Sequence, residues 1–191
     1  AGILFVNPTD LGWNPCVHSW IDTLESPPQK QNLMMLFEKY VPPCLDAMKQ
    51  RFKTITPIPE FTLVNTLCTM LGLLLTQENT PDGCPKDDYE LYFAWCCVWA
   101  FGGALFKEQS VDYRIEFSKW WEVEFKKVKF PSGHGTVFDY YIRSQDKKMI
   151  LWSETVPAFT YDAELPIPAA MVHTAETTRL KFWMDLMIKT G

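Results

Sequence analysis

A chain of 191 residues, 47% hydrophobic and 15% aromatic, can bury a sizeable core, which excludes a disordered or fibrous protein. A net charge of −5 and an isoelectric point near 5.2 argue against nucleic acid or an anionic membrane surface as partner. The longest apolar stretch, residues 91–106, carries two glycines and falls short of the roughly 20 residues needed to cross a bilayer.

The first element is Ala1-Gly-Ile-Leu-Phe-Val6, a fully apolar run closed by the turn residues Asn7-Pro-Thr-Asp-Leu-Gly12. This pattern predicts a core strand buried on both faces of a parallel sheet, and hence a piece of a larger α/β protein. Residues 15–24 read as a short helix carrying Trp20 and Ile21, and residues 26–31 as a loop. Residues 32–53 are helical in pattern but interrupted by Val41-Pro-Pro-Cys44, which predicts two helices or one sharp kink. A stiff proline linker spans 54–59. Residues 60–77 place Leu63, Val64, Leu67, Met70, Leu71, Leu74 and Leu75 at helical spacing.

A surface loop over 79–85 leads into a helix over 87–106. It is apolar nearly all round and is expected at the centre of a bundle. A turn at 107–109 joins it to an amphipathic helix over 110–127. Residues 135–142 and 148–152 flank a polar turn and predict a β-hairpin. A proline-punctuated segment covers 156–168, and a last helix runs over 175–189.

Candidates for chemistry are sparse. The six cysteines sit mostly inside apolar helical patterns and read as buried free thiols in a reducing, cytoplasmic compartment. No CxxC spacing exists, and His18, His134 and His173 are scattered, so no metal site is expected. Asn7-Pro-Thr is blocked as a glycosylation sequon by its proline. Asp87-Asp88 opens a helix, where negative charge complements the dipole. Gly133-His-Gly135 reads as a connector rather than a phosphate cradle. Trp120-Trp121 reads as core or interface aromatic surface rather than a stacking platform for a cofactor or nucleic acid. Gly102-Gly103 lowers helix stability by about 1 kcal/mol per glycine relative to alanine. The pair marks a helix end, close packing, or a face open to a ligand. No catalytic constellation is recognised.

Several stretches together carry a family resemblance. They are Ala1-Gly-Ile-Leu-Phe-Val-Asn-Pro-Thr-Asp-Leu-Gly-Trp13 with Trp20, Tyr40-Val-Pro-Pro-Cys-Leu45, Val98-Trp-Ala-Phe-Gly-Gly103 with Arg114 and Phe117, and Met171-Val-His-Thr-Ala-Glu-Thr-Thr-Arg179. In that order they resemble dynein heavy chains along essentially the whole sequence. Gly2-Ile-Leu-Phe-Val-Asn-Pro-Thr9, Phe130-Pro-Ser132 and Gly135-Thr-Val-Phe-Asp-Tyr-Tyr141 resemble axonemal heavy chains, most of all the outer-arm beta-type group.

The resemblance implies a mainly α fold: a helical AAA+ small (lid) subdomain with a terminal core β-strand and a β-hairpin extension. Residues 1–28 would end the large α/β subdomain of the second AAA+ module, and 29–129 would be its lid. Residues 130–170 would form a hairpin and linker, and 171–191 would start the third module up to its Walker A loop. The implied cofactor is ATP or ADP with Mg2+ in the parent ring. The arginine finger would precede Ala1 and the phosphate loop would follow Gly191, leaving no whole catalytic site here.

Val172 and Thr174 would line the adenine side of the third pocket, while Gly102 and Gly103 would face the second module's nucleotide. The implied partners are neighbouring AAA+ modules, microtubules, and dynein intermediate and light chains. The implied setting is the axoneme of a cilium or flagellum. The competing reading is a stand-alone helical protein-binding module.

Overall fold

A computed structural model describes residues 1–5, 11–131, 133, 135–160, 166 and 172–189. The chain divides into two compact units, residues 1–129 and 130–191.

In the first unit, α1 (Asn14–Asp22), α2 (Pro27–Gln50), α3 (Glu60–Leu74) and α4 (Lys86–Gly102) form a bundle. Helix α4 is its centre and packs on both α2 and α3. Every residue from Tyr92 to Val98 is buried, as the all-round apolar pattern predicts. Each large side chain buried there stabilises the fold by about 1.5–3 kcal/mol before entropy is charged against it. An aromatic chain runs through the core. Trp20 meets Phe37 at 5.9 Å, Phe37 meets Phe93 at 4.9 Å, and Tyr40 stacks on Phe125 at 4.6 Å. Trp121 is fully buried and Trp120 nearly so.

Helix α2 departs from expectation at its start, and of the two forms expected at its prolines it takes the single helix rather than two. It begins at Pro27, within the stretch expected to be loop, because proline in a first turn has no hydrogen bond to lose. It also runs unbroken through Pro42 and Pro43. The carbonyls deprived of donors belong to Glu38 and Lys39, both exposed and open to water. Tyr40, Val41, Cys44 and Leu45 are buried and hold the helix against the bundle.

After Gly102 the chain forms a small hairpin rather than a single turn, β1 (Lys107–Glu108) against β2 (Val111–Asp112), with Gln109 at φ 44°. Helix α5 (Tyr113–Glu124) then starts on a true cap: the Asp112 carboxylate accepts from the amides of Arg114 (3.0 Å) and Ile115 (3.4 Å).

The second unit contains a 3-10 turn (Val137–Asp139), β3 (Tyr140–Arg143) paired antiparallel with β4 (Lys148–Leu151), a second 3-10 turn (Trp152–Thr155), and α6 (Ala175–Lys189). Helix α6 packs on the second 3-10 turn, where Trp152 and Phe182 lie 5.4 Å apart.

The mainly helical class stands, but the expected opening strand does not form over residues 1–5. Ile3, Leu4 and Phe5 are 96%, 88% and 84% exposed. A strand needs ladder partners, and the described strands pair only within their own two hairpins. Val6, the turn residues 7–10, His134 and most of the proline-punctuated segment lie outside the described residues.

Candidate functional site

Gly102 is the buried last residue of α4, and Gly103 is the exposed residue after it. Gly103 holds right-handed backbone angles (φ −61°, ψ −29°), and its amide donates to the Trp99 carbonyl at 2.9 Å. A β-carbon there would stand 2.5 Å from that carbonyl oxygen, closer than any side chain tolerates. The glycine is therefore required by close backbone approach. The chain beyond it is tied down from two sides. Ile55 donates to the Ala104 carbonyl (3.3 Å), Thr54 bridges Leu105, and Arg114 Nε donates to the Leu105 carbonyl (3.1 Å). The resemblance motif's Gly-Gly pair and its Arg114 thus meet in one turn.

The same corner is stapled by Lys53 to Glu108 at 2.9 Å, with the Tyr113 hydroxyl donating to that carboxylate at 3.3 Å. Hydrogen bonding and charge from Lys53 hold the Glu108 carboxyl below its usual range. What the corner offers a neighbour is backbone unscreened by a side chain, at the end of a helix.

A second cluster was not singled out by sequence reasoning. Glu90, on α4, is 4% exposed. One carboxylate oxygen accepts from Lys39 Nζ (2.6 Å) and the Tyr40 hydroxyl (3.0 Å). The other pairs with Lys127 Nζ (2.6 Å), which also reaches Asp87 (2.9 Å). Burial pushes the Glu90 pKa up, but the hydrogen bonds from Lys127, Lys39 and Tyr40 outweigh it and hold the group below its ordinary value. Burial, then the Glu90 charge, pushes the Tyr40 hydroxyl well above its own. The available signal was a lone carboxylate inside the run Tyr89-Glu-Leu-Tyr-Phe93.

In the second unit Arg179 is 8% exposed, and its guanidinium donates to Asp139 (3.2 Å) and Glu176 (2.9 Å). The other Asp139 oxygen accepts from the Thr136 amide (2.7 Å) and hydroxyl (2.9 Å). Gly135, at φ +75°, lies so close that a β-carbon would collide with the Asp139 carboxylate. Two resemblance motifs, residues 135–141 and 171–179, therefore meet at Asp139–Arg179. Sequence reasoning quoted both and assigned neither residue a role.

Val172 and Thr174 lie on the lead into α6, and both are exposed. Thr174 caps that helix: its hydroxyl accepts from the Thr177 amide (3.1 Å), while its own amide donates to the Thr177 hydroxyl (2.9 Å). The structure makes Gly102 and Gly103 one helix end in the first unit. Val172 and Thr174 belong to one lead-in in the second.

Among the described residues no group of three His, Cys, Asp or Glu side chains could hold a metal ion. The cysteines are free. Burial raises the thiols of Cys44, Cys96 and Cys97 far above their ordinary value, and that of Cys68 to about 12, so they behave as packing groups.

The first unit is thus a helical bundle centred on one buried helix and braced by ion pairs. The family described as the dynein heavy chain AAA lid domain matches residues 33–154. The chain is 58% identical over its full length to the ciliary dynein beta chain of Heliocidaris crassispina. It is 52% identical over 99% of its length to human dynein axonemal heavy chain 17, and 41% identical over 98% to the flagellar outer-arm beta chain of Chlamydomonas reinhardtii. The chain belongs to the dynein heavy chain family. It spans 4% of the length of each of these relatives.

Proposed function

We propose that the chain is a structural and regulatory segment of an axonemal heavy chain, itself an ATP-driven, minus-end-directed microtubule motor of cilia and flagella. The observation that carries this is the end-to-end match to ciliary beta chains on a lid fold. Residues 1–28 then close the large subdomain of the second AAA+ module, 29–129 are its lid, 130–170 link onward, and 171–191 enter the third module. Exposed Ile3, Leu4 and Phe5, and the exposed stripe Leu180, Met184, Met187 and Ile188 on α6, support this reading. Both are apolar surfaces for the rest of a heavy chain to cover.

In this reading the ring holds ATP or ADP with Mg2+, and the segment supplies walls rather than phosphate ligands. Gly102 and Gly103 let the second module's nucleotide approach the end of α4. Val172 and Thr174 flank the third module's adenine. The lid turns as a body when a site closes and passes the motion to its neighbours, since tightly packed interiors transmit strain. Microtubules and the intermediate and light chains are partners of the parent, in the axoneme.

Sequencing the gene on both sides of this stretch tests the reading. A Ser-Arg pair before Ala1 and a glycine-rich loop with lysine after Gly191 are expected, and their absence sinks it. Calorimetry on the 191-residue chain should find ATP bound no tighter than roughly millimolar. Micromolar binding would mean that a phosphate site lies within it.

A further inference from the structure

Helix α3 turns one stripe of side chains toward α1. Phe61, Asn65, Cys68 and Gly72 follow one another at helical spacing, which puts them on a single face. Helix α1 lies along that face. The Cys16 thiol donates to Asn65 Oδ1 at 3.9 Å, and the Trp20 indole nitrogen stands 3.8 Å from where a β-carbon on Gly72 would be. Cys68 falls between these two contacts, one turn from each, and so faces α1 beside Cys16. At the near end of the stripe Phe61 lines an open cavity of about 660 Å³ with Leu11, Pro15, Cys16 and Trp20.

The two thiols are both free, but they are placed differently. Cys16 is partly exposed at the cavity, whereas Cys68 is buried. Burial, and then the charge of the nearby Cys16 sulfur, raises the Cys68 thiol to about 12, so it rests protonated.

We propose that Cys16 and Cys68 are a redox pair, a modification site at which hydrogen peroxide closes a reversible disulfide between α1 and α3. The accessible sulfur reacts first. The Cys16 thiolate attacks one peroxide oxygen, the O–O bond breaks, and Cys16 becomes a sulfenic acid while the departing hydroxide takes up a proton. The Cys68 sulfur then attacks the Cys16 sulfur, and its proton leaves with the displaced hydroxyl as a second water. Two thiols and one peroxide thus give one disulfide and two waters. Burial fixes this order, because the thiolate is the reactive form and Cys68 is both protonated and out of the oxidant's reach. Thiol reductants reopen the bond by exchange.

Mass spectrometry on the 191-residue chain tests the pair. After peroxide, denaturation and maleimide labelling should find two fewer free thiols than the six of the reduced chain. Tryptic digestion without reductant should join the peptide 1–30 to the peptide 54–86, and dithiothreitol should part them. Cys84 shares the second peptide, so fragmentation must place the bond at Cys68. Cys16→Ser and Cys68→Ala should each abolish the link, and Cys84→Ser should keep it. An unchanged thiol count, a link through Cys84, or an equal yield of the link in concentrated urea overturns the proposal. So does Cys16 oxidised beyond the sulfenic acid with no link formed.

Discussion

Replacing Glu90 with Gln removes a charge and almost no volume, so it isolates the electrostatic contribution of the cluster around Glu90 on α4. The wild-type carboxylate accepts from two ammoniums at 2.6 Å and one buried hydroxyl at 3.0 Å. Charge-assisted bonds of this kind contribute about 1.5–3 kcal/mol each when both partners are buried. Both lysines are about half exposed and regain water on release, which discounts each bond to the lower end or below.

The amide oxygen of Gln still accepts from Tyr40 or Lys39, so the net loss comes to about 2 kcal/mol. For a unit of this size that lowers the melting temperature by about 6–10 °C. Urea unfolding followed by tryptophan fluorescence measures it, since Trp95 and Trp121 are buried in this core. The pH dependence is a second readout. The folded Glu90 pKa lies below its ordinary value of 4.5, so its stabilisation is present above that pH and is lost as pH falls through the folded value. The gap between wild type and variant must therefore close below about pH 4.5. A loss under about 0.5 kcal/mol, or a gap that persists in acid, would refute the reasoning.

Gly103→Ala should destabilise by about 1–2 kcal/mol in the same urea titration, although Gly→Ala near a helix end ordinarily stabilises, because its β-carbon meets the Trp99 carbonyl. Arg179→Met keeps the stem but leaves Asp139 only its Thr136 partners and water. It should cost about 2 kcal/mol and free the α6 amides in hydrogen exchange while leaving the first unit's protection intact. At the tip of the β3–β4 hairpin Arg143 grips Asp146 through two nitrogens and lowers its carboxyl pKa to about 2. That grip should persist down to about pH 2 and fail below it, read as a shift of the Arg143 Nε–H resonance. An Nε–H signal that moves near pH 4 would contradict it.

Much of the fold was legible because its signals are local. The apolar wrap of residues 92–98 requires a central helix whatever surrounds it, and the polar turn at 143–147 marks a hairpin, although its first strand begins at Tyr140 after a 3-10 turn and not at Gly135. The candidate site was less legible because its bonds are long-range. Lys39 and Lys127 lie on either side of Glu90 in sequence and converge on it only through packing of α2 and the chain after α5 on α4. Asp139 and Arg179, forty residues apart, show no spacing that would pair them. Asp112 is the exception: an aspartate just ahead of an amphipathic run is a cap signal, and it sets the start of α5 where periodicity alone set it too early.

Two elements show the surroundings of a segment outweighing its local propensity, with opposite outcomes. Local rules disfavour proline inside α2, yet the helix continues, with Tyr40, Val41, Cys44 and Leu45 buried in the bundle and Glu38 and Lys39 exposed. Local rules favour a strand at residues 1–5, yet none forms there because apolar β-formers without a sheet have no ladder to join. In both places the environment outweighs propensity, and in both it can be altered by experiment. An α2 with Pro42 and Pro43 replaced by alanine should remain a single helix, with Glu38 and Lys39 carbonyls now paired. On the proposed reading, residues 1–5 should gain exchange protection when the chain is expressed as part of a whole heavy chain and not on its own. Protection of those amides in the 191-residue chain alone would show that the strand finds its partner locally, contrary to the exposed Ile3, Leu4 and Phe5.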